Sequence, residues 1–169
     1  MAEAGILHED DRVELIEGKI IQMAAIGSRH AACVKCLIKL LVREVGDSGV
    51  VGAQDPIILP DSSEPEPDVT VLRPRDDFYA AGHPVPEDVL LLIEVLDTSL
   101  EYDREVKLPL YVPAGIPEVW IVDLVNEKLH TYSQPAARSY ANVSSTVRGD
   151  QVILWMLPGL VVSVEDTLG

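Results

Sequence analysis

Residues 66–72 read EPDVTVL and residues 89–120 read VLLLIEVLDTSLEYDREVKLPLYVPAGIPEVW. The run 89–96 decides the architecture. Its apolar side chains do not alternate with polar ones, so both faces are expected to be buried, as in a central strand covered on two sides. Glu94 interrupts that run, and a carboxylate inside a buried strand is costly unless it is paired or binds a metal. Asp68 opens the other strand, where Pro67 restricts Glu66 to extended geometry. If the two strands are neighbours, the carboxylates of Asp68 and Glu94 converge at one end of a sheet. Lys107 follows in a segment with helical spacing, expected to return over that end. Two carboxylates at strand positions with a lysine nearby form a divalent-metal arrangement, and the simplest chemistry it supports is metal-assisted hydrolysis of a phosphodiester. The bland alternatives are a turn aspartate at 68 and a structural pairing of Glu94 with Lys107 or Arg104.

Upstream, DRVELIEGKIIQMAA (11–25) places two apolar runs on either side of Glu17-Gly18, a hairpin signature that puts Glu14 and Glu17 at or near the first strand. Ser28 is the expected N-cap of a helix. In it Val34, Leu37, Ile38, Leu41, Val42 and Val45 form one apolar stripe, and Lys35, Lys39 and Arg43 share a polar side read as a solvated face. Segments 50–54, 56–59 and 69–72 read as short strands limited by Pro56, Pro60, Pro65 and Pro67. Residues 73–88 read as an exposed loop with one helical turn.

Downstream of Glu94, Thr98 or Ser99 is expected to cap a helix that Pro109 kinks or shortens and that Pro113 with Gly115 closes. Asp103 and Lys107 also fit a surface ion pair one turn apart. Segments 118–124, 128–133, 140–143 and 151–154 read as strands, with a last apolar piece at 160–164. Strands interleaved with helices imply an α/β sheet covered by helices.

The length of 169 residues fits one domain, 1–169, with its core at approximately 11–165. With 47% hydrophobic but only 5% aromatic residues, the core must be mostly Leu, Val, Ile and Ala. A formal charge of -15 repels polyanions at long range and argues against a DNA-coating role. A nuclease of this charge needs divalent ions, a local basic patch or a partner subunit. Cys33 and Cys36 lie within the helical pattern with no second ligand pair downstream, and are read as buried thiols. No secretory leader opens the chain and no apolar run approaches about 18 residues. A cytoplasmic protein without membrane contact is expected.

P-E-P-D-V at 65–69, L-I-E-V at 92–95, Y-D-R-x-x-K at 102–107, Y-x-x-A-G-I-P-E-V-W at 111–120 and V-D at 122–123 together resemble the Uma2 family, also called DUF820, of bacterial restriction-endonuclease-like proteins. R-x-E-L-I-E-G-K at 12–19 and His30 resemble its N-terminal pattern. The resemblance implies a PD-(D/E)xK nuclease core: a mixed central sheet flanked by helices, with an N-terminal hairpin and extra C-terminal strands. Asp68 then matches the family's P-D acid and Glu94 its second acid. Leu96 stands where an E-x-K motif puts lysine, and the family arrangement transfers that role to Lys107. Glu14, or else Glu17, matches an auxiliary acid, and His30 is placed to assist from the first helix.

The implied activity is endonucleolytic hydrolysis of DNA with Mg2+ or Mn2+ held by Asp68, Glu94 and Glu14, and Lys107 as the assisting cation. Two alternatives stand beside it: a weakly active or inactive nuclease-like binding or regulatory protein, and a metal-dependent phosphohydrolase on a small nucleotide, which would suit the acidic charge. A homodimer is expected, because cutting both strands of DNA often takes two sites and the late hairpin offers apolar edge strands.

Overall fold

The structure, a computed structural model, describes residues 12–23, 25–97 and 103–169, with the side chains of residues 103 and 104 left aside. Its chain order is β1 (Val13–Ile16), β2 (Lys19–Gln22), α1 (Ser28–Val45), β3 (Val50–Gly52), β4 (Val69–Leu72), β5 (Val89–Leu96), α2 (Leu108–Ala114), β6 (Glu118–Asp123), β7 (Lys128–Pro135), β8 (Tyr140–Val147), β9 (Gln151–Ile153), β10 (Val161–Ser163) and α3 (Val164–Leu168). Six strands form the central sheet in the order β3-β4-β5-β6-β7-β8. Only the β5–β6 pair is parallel, so the sheet is mixed.

β5 is buried at all eight positions, as its unbroken apolar run requires. Leu91, Ile93 and Val95 join Trp120, Val122 and the α1 stripe Val34, Leu37 and Leu41 in one core. Leu92 and Leu96 point the other way, into a second core with Val119, Ile121 and Leu110, Tyr111 and Val112 of α2. Glu94 shares the period-two face of Leu92 and Leu96, so it emerges beneath α2. Each fully buried aliphatic side chain in these layers contributes roughly 1.5–3 kcal/mol of transfer free energy, and the two layers hold β5 in register.

The β1–β2 hairpin turns through Glu17 (φ 48°) and Gly18 (φ 74°), both positive as a two-residue hairpin turn demands. It docks on residues 57–65 through paired backbone bonds between Leu15 and Glu64. Residues 56–59, expected as a strand, instead form a loop folded on itself. The Ile57 and Leu59 N–H groups donate to the carbonyls of Pro65 and Ser63, while both side chains stay in the core.

Other expectations are also revised. Gly27, not Ser28, is the N-cap of α1, and Ser28 is its first helical residue. Residues 103–107 form a single wide turn of π geometry that leads into α2. Pro109 sits in the first turn of α2, directly after the wide turn, a position that tolerates a missing N–H. Gly115, at φ 80°, ends that helix. Thr98 and Ser99 lie outside the described residues. The last apolar piece divides into β10 and the short helix α3, and β10 pairs with β9 in a separate two-stranded sheet. Cys33 is buried but Cys36 is exposed, and both are free thiols. Burial pushes the Cys33 thiol up to about 12, which leaves it inert as a nucleophile. Among the described residues no helix is long and apolar enough to cross a membrane.

Candidate active site

β4 begins and β5 ends at the same edge of the sheet, because Val69 pairs with Ile93. Asp68, immediately before β4, therefore lies beside the C-terminal half of β5. Its Oδ2 accepts the Val95 N–H at 2.8 Å. The same oxygen lies 3.0 Å from His30 Nε2, delivered by the first turn of α1. Oδ1 of Asp68 accepts no hydrogen bond among the described residues. Nδ1 of His30 is buried and has no hydrogen-bond partner there. The bond to Asp68, followed by that acid's charge, outweighs the effect of burial and raises the His30 pKa.

One residue along β5, Glu94 is 2% exposed. Tyr111, one turn into α2, donates its hydroxyl to Glu94 Oε1 at 2.6 Å. Lys107 Nζ lies 3.3 Å from each Glu94 oxygen and 3.4 Å from Glu14 Oε2. Glu14 arrives from β1, where the hairpin's alternation turns it inward to 4% exposure. Glu17 is exposed in the turn, with its N–H spent on Ser63 Oγ. Of the two acids, only Glu14 faces Lys107.

The surface-pair reading of Lys107 is overturned by its burial at 5% exposure. Its position also differs from the expectation: it ends the wide turn before α2 instead of standing one or two turns inside a helix. That placement sets Lys107 and Tyr111 four residues apart on one face, so both reach Glu94. From sequence, Tyr111 stands only as the first residue of the Y-x-x-A-G-I-P-E-V-W pattern, with no partner assigned. A tyrosine one helical turn beyond a candidate lysine was the available signal, since a fully buried hydroxyl needs a partner. Glu66 was also missed: its N–H approaches Glu14 Oε2 at 3.5 Å, and burial together with the charge of Glu14 raises its pKa.

Glu14, Glu94 and Lys107 form one buried cluster, and Asp68 with His30 forms a second pair joined to it through the β5 backbone. Three carboxylates face one lysine and one histidine. Carboxylate oxygens are the donors that hard divalent cations prefer, and one oxygen of Asp68 accepts no bond among the described residues, so the donor chemistry fits Mg2+ or Mn2+. As arranged, Lys107 lies between Glu14 and Glu94. Among the described residues no group of three or more His, Cys, Asp or Glu side chains is gathered as a metal-holding set. A cavity of about 450 Å³ lies between α2 and β8 and is lined by none of these five residues.

The family described as "Uma2: Putative restriction endonuclease" matches residues 2–165 of the chain. Among solved structures, the chain resembles "a putative nuclease belonging to DUF820" from Anabaena variabilis, with a TM-score of 0.74 at 17% identity over 98% of this chain and 94% of that one. That likeness is one of fold. No curated protein matches.

Proposed function

The chain belongs to the Uma2 family, and from that premise we propose that it is a divalent-metal-dependent endonuclease hydrolysing phosphodiester bonds of DNA. The observation that carries this reading is the convergence of Glu14 and Glu94, from separate strands, on Lys107, whose Nζ lies within 3.4 Å of an oxygen of each, next to Asp68 at one end of the sheet. A fold gains nothing in stability from burying this many acids around one lysine, so the cluster is best understood as chemical machinery.

In this reading Asp68 and Glu94, with Glu14 as auxiliary acid, hold Mg2+ or Mn2+. When bound, such an ion supplies Lewis-acid stabilisation of phosphate charge and a water that deprotonates near neutral pH. The chain's own groups do the rest. Tyr111 fixes one oxygen of Glu94, and the Val95 N–H and His30 fix one oxygen of Asp68. Lys107 sets a positive charge where negative charge grows on the phosphate.

A second reading, a nuclease-like binding protein without turnover, is favoured by one observation: each acid already has an internal partner, with Lys107 between two of them. Calorimetric titration with Mn2+ and Mg2+, followed by plasmid nicking, separates the two. The parent should bind ion and nick DNA, and Asp68→Ala and Glu94→Gln should lose both. A parent that binds DNA but neither ion, and leaves duplex, single-stranded and branched DNA intact in millimolar metal, would establish the second reading instead.

A further inference from the structure

α1 is a basic element in an acidic chain. It holds four of the 13 Lys and Arg and one of the 28 acids, a net of +3, so the other residues, with 9 Lys and Arg against 27 acids, carry -18. At about 100° per residue, Arg29, Lys35, Lys39 and Arg43 fall within an arc of about 120°. This is the exposed arc of the helix, shared with Ser28, Ala32, Cys36 and Val42, and no acid stands on it. The opposite arc, with Val34, Leu37 and Leu41, is packed on the sheet.

Two of the four cations have local partners. Arg43 pairs with Glu44 at 2.6 Å, and Arg29 donates to the Leu124 carbonyl at 2.6 Å and lies 3.7 Å from Asp97 Oδ1. Lys35 and Lys39 are exposed and make no ion pair among the described residues. In a chain where acids outnumber bases by 28 to 13, an ordinary solvated face would lean acidic. We propose that this face of α1 is the docking surface for the phosphate backbone of double-stranded DNA and leads the strand to Asp68. The proposal rests on the nuclease reading for its substrate, and it supplies the local basic patch that the net charge of the chain calls for.

Position, spacing and composition all favour this partner. The first turn of α1 delivers His30 to Asp68 at 3.0 Å, so the basic arc starts at the candidate site. From Arg29 to Arg43 it runs about 21 Å at 1.5 Å per residue, the axial length of about six base pairs at 3.4 Å. Lys35, Lys39 and Arg43 repeat every fourth residue, a row with about 5–6 Å between Cβ atoms. A regular row of cations on flexible stems suits a regular row of phosphates. The negative charge of the other surfaces repels the same backbone and confines it to this one.

Other polyanions suit the face less well. α1 contains no aromatic residue, so it lacks the stacking platforms that hold single strands. The acidic surface of a second copy would dock through an apolar, aromatic-rich centre, and the arc offers only Ala32, Cys36 and Val42.

Anisotropy of a labelled short duplex, followed over a range of salt concentrations without divalent ion, tests the surface. Lys35→Gln with Lys39→Gln should make the slope of log K against log salt shallower by about 1.8, at about 0.9 per lost phosphate contact, and should weaken duplexes of unrelated sequence equally. Arg73→Gln with Arg138→Gln removes the same charge from loops at the opposite end of the sheet and should bind duplex as the parent does. Circular dichroism and Mn2+ calorimetry of the lysine pair should match the parent, and in plasmid nicking its loss should appear in the half-saturating DNA concentration.

A duplex affinity and salt slope unchanged in the lysine pair overturn the proposal, as does an equal loss in the arginine pair. So does a parent that binds no duplex at low salt or prefers single strands, or a lysine pair that changes only the sedimentation mass. Failure of the nuclease reading looks different: a parent whose duplex binding needs Lys35 and Lys39, but which takes up no Mn2+ and leaves DNA intact, loses that reading and keeps the surface.

Discussion

The Tyr111 hydroxyl donates to Glu94 Oε1 at 2.6 Å, and both groups are buried. A short bond to a buried carboxylate is charge-assisted, and such bonds contribute more than neutral ones. Tyr111→Phe keeps the ring and removes the bond. It should lower stability by about 2 kcal/mol, read as a shift of the urea midpoint with the slope unchanged. An unshifted midpoint would show that the other partners of Glu94 satisfy it without the hydroxyl.

Lys107→Met removes the cation between Glu14 and Glu94. Two buried carboxylates then face each other without it, and a loss of about 3 kcal/mol is expected. A divalent ion that binds the acids should recover part of this loss, because a ligand of the folded state raises its stability by mass action. Thermal melts of this variant with and without Mg2+ check it, and a melting temperature indifferent to Mg2+ counts against the proposed ion.

His30 provides a pH signature. Its pKa is raised above the ordinary 6.5 by Asp68, so the folded state binds its proton more tightly than the unfolded chain. The stability this supplies is fully present below the unfolded pKa and disappears as pH rises through the raised folded value. His30→Gln should therefore be more damaging near pH 6 than near pH 9 (about two values bracketing the titration). Equal losses at both would mean that the imidazole acts only by packing.

Gly49 joins α1 to β3 where no side chain fits. A Cβ there would lie 2.8 Å from the Leu72 carbonyl oxygen and 3.0 Å from Val45 Cγ1. Gly49→Ala should cost about 1–3 kcal/mol by overpacking. Gly82→Ala, with open space around its Cβ position, is the matched control and should leave the urea midpoint unchanged.

What the sequence revealed follows the strength of each local signal. β5 was legible because an eight-residue run, apolar but for Glu94, admits few other structures, and the hairpin because Gly18 suits the positive φ of its turn. Segment 56–59 was not, since the apolar Ile57 and Leu59 look the same in a strand and in a loop that sends its N–H groups to Pro65 and Ser63. α3 was hidden because Val164, Thr167 and Leu168, its buried helical face, follow directly on the apolar β10. At the site, Glu14, Asp68, Glu94, His30 and Lys107 were all singled out. The partnerships were harder to foresee. Whether Glu14 or Glu17 points inward depends on hairpin register, and the reach of Lys107 and Tyr111 to one carboxylate depends on a wide turn that no residue pattern marks.

The burial of Lys107 also makes it a clock. Lys19, Lys35, Lys39 and Lys128 are exposed, whereas the Lys107 amine lies among acids beneath α2. An acylating reagent will mark the four open amines at rates set by water and local charge alone. It can mark Lys107 only when the segment carrying it lifts from the sheet. The delay between the two classes of label, read by mass spectrometry of the digested chain, times that opening in the working protein without an added probe.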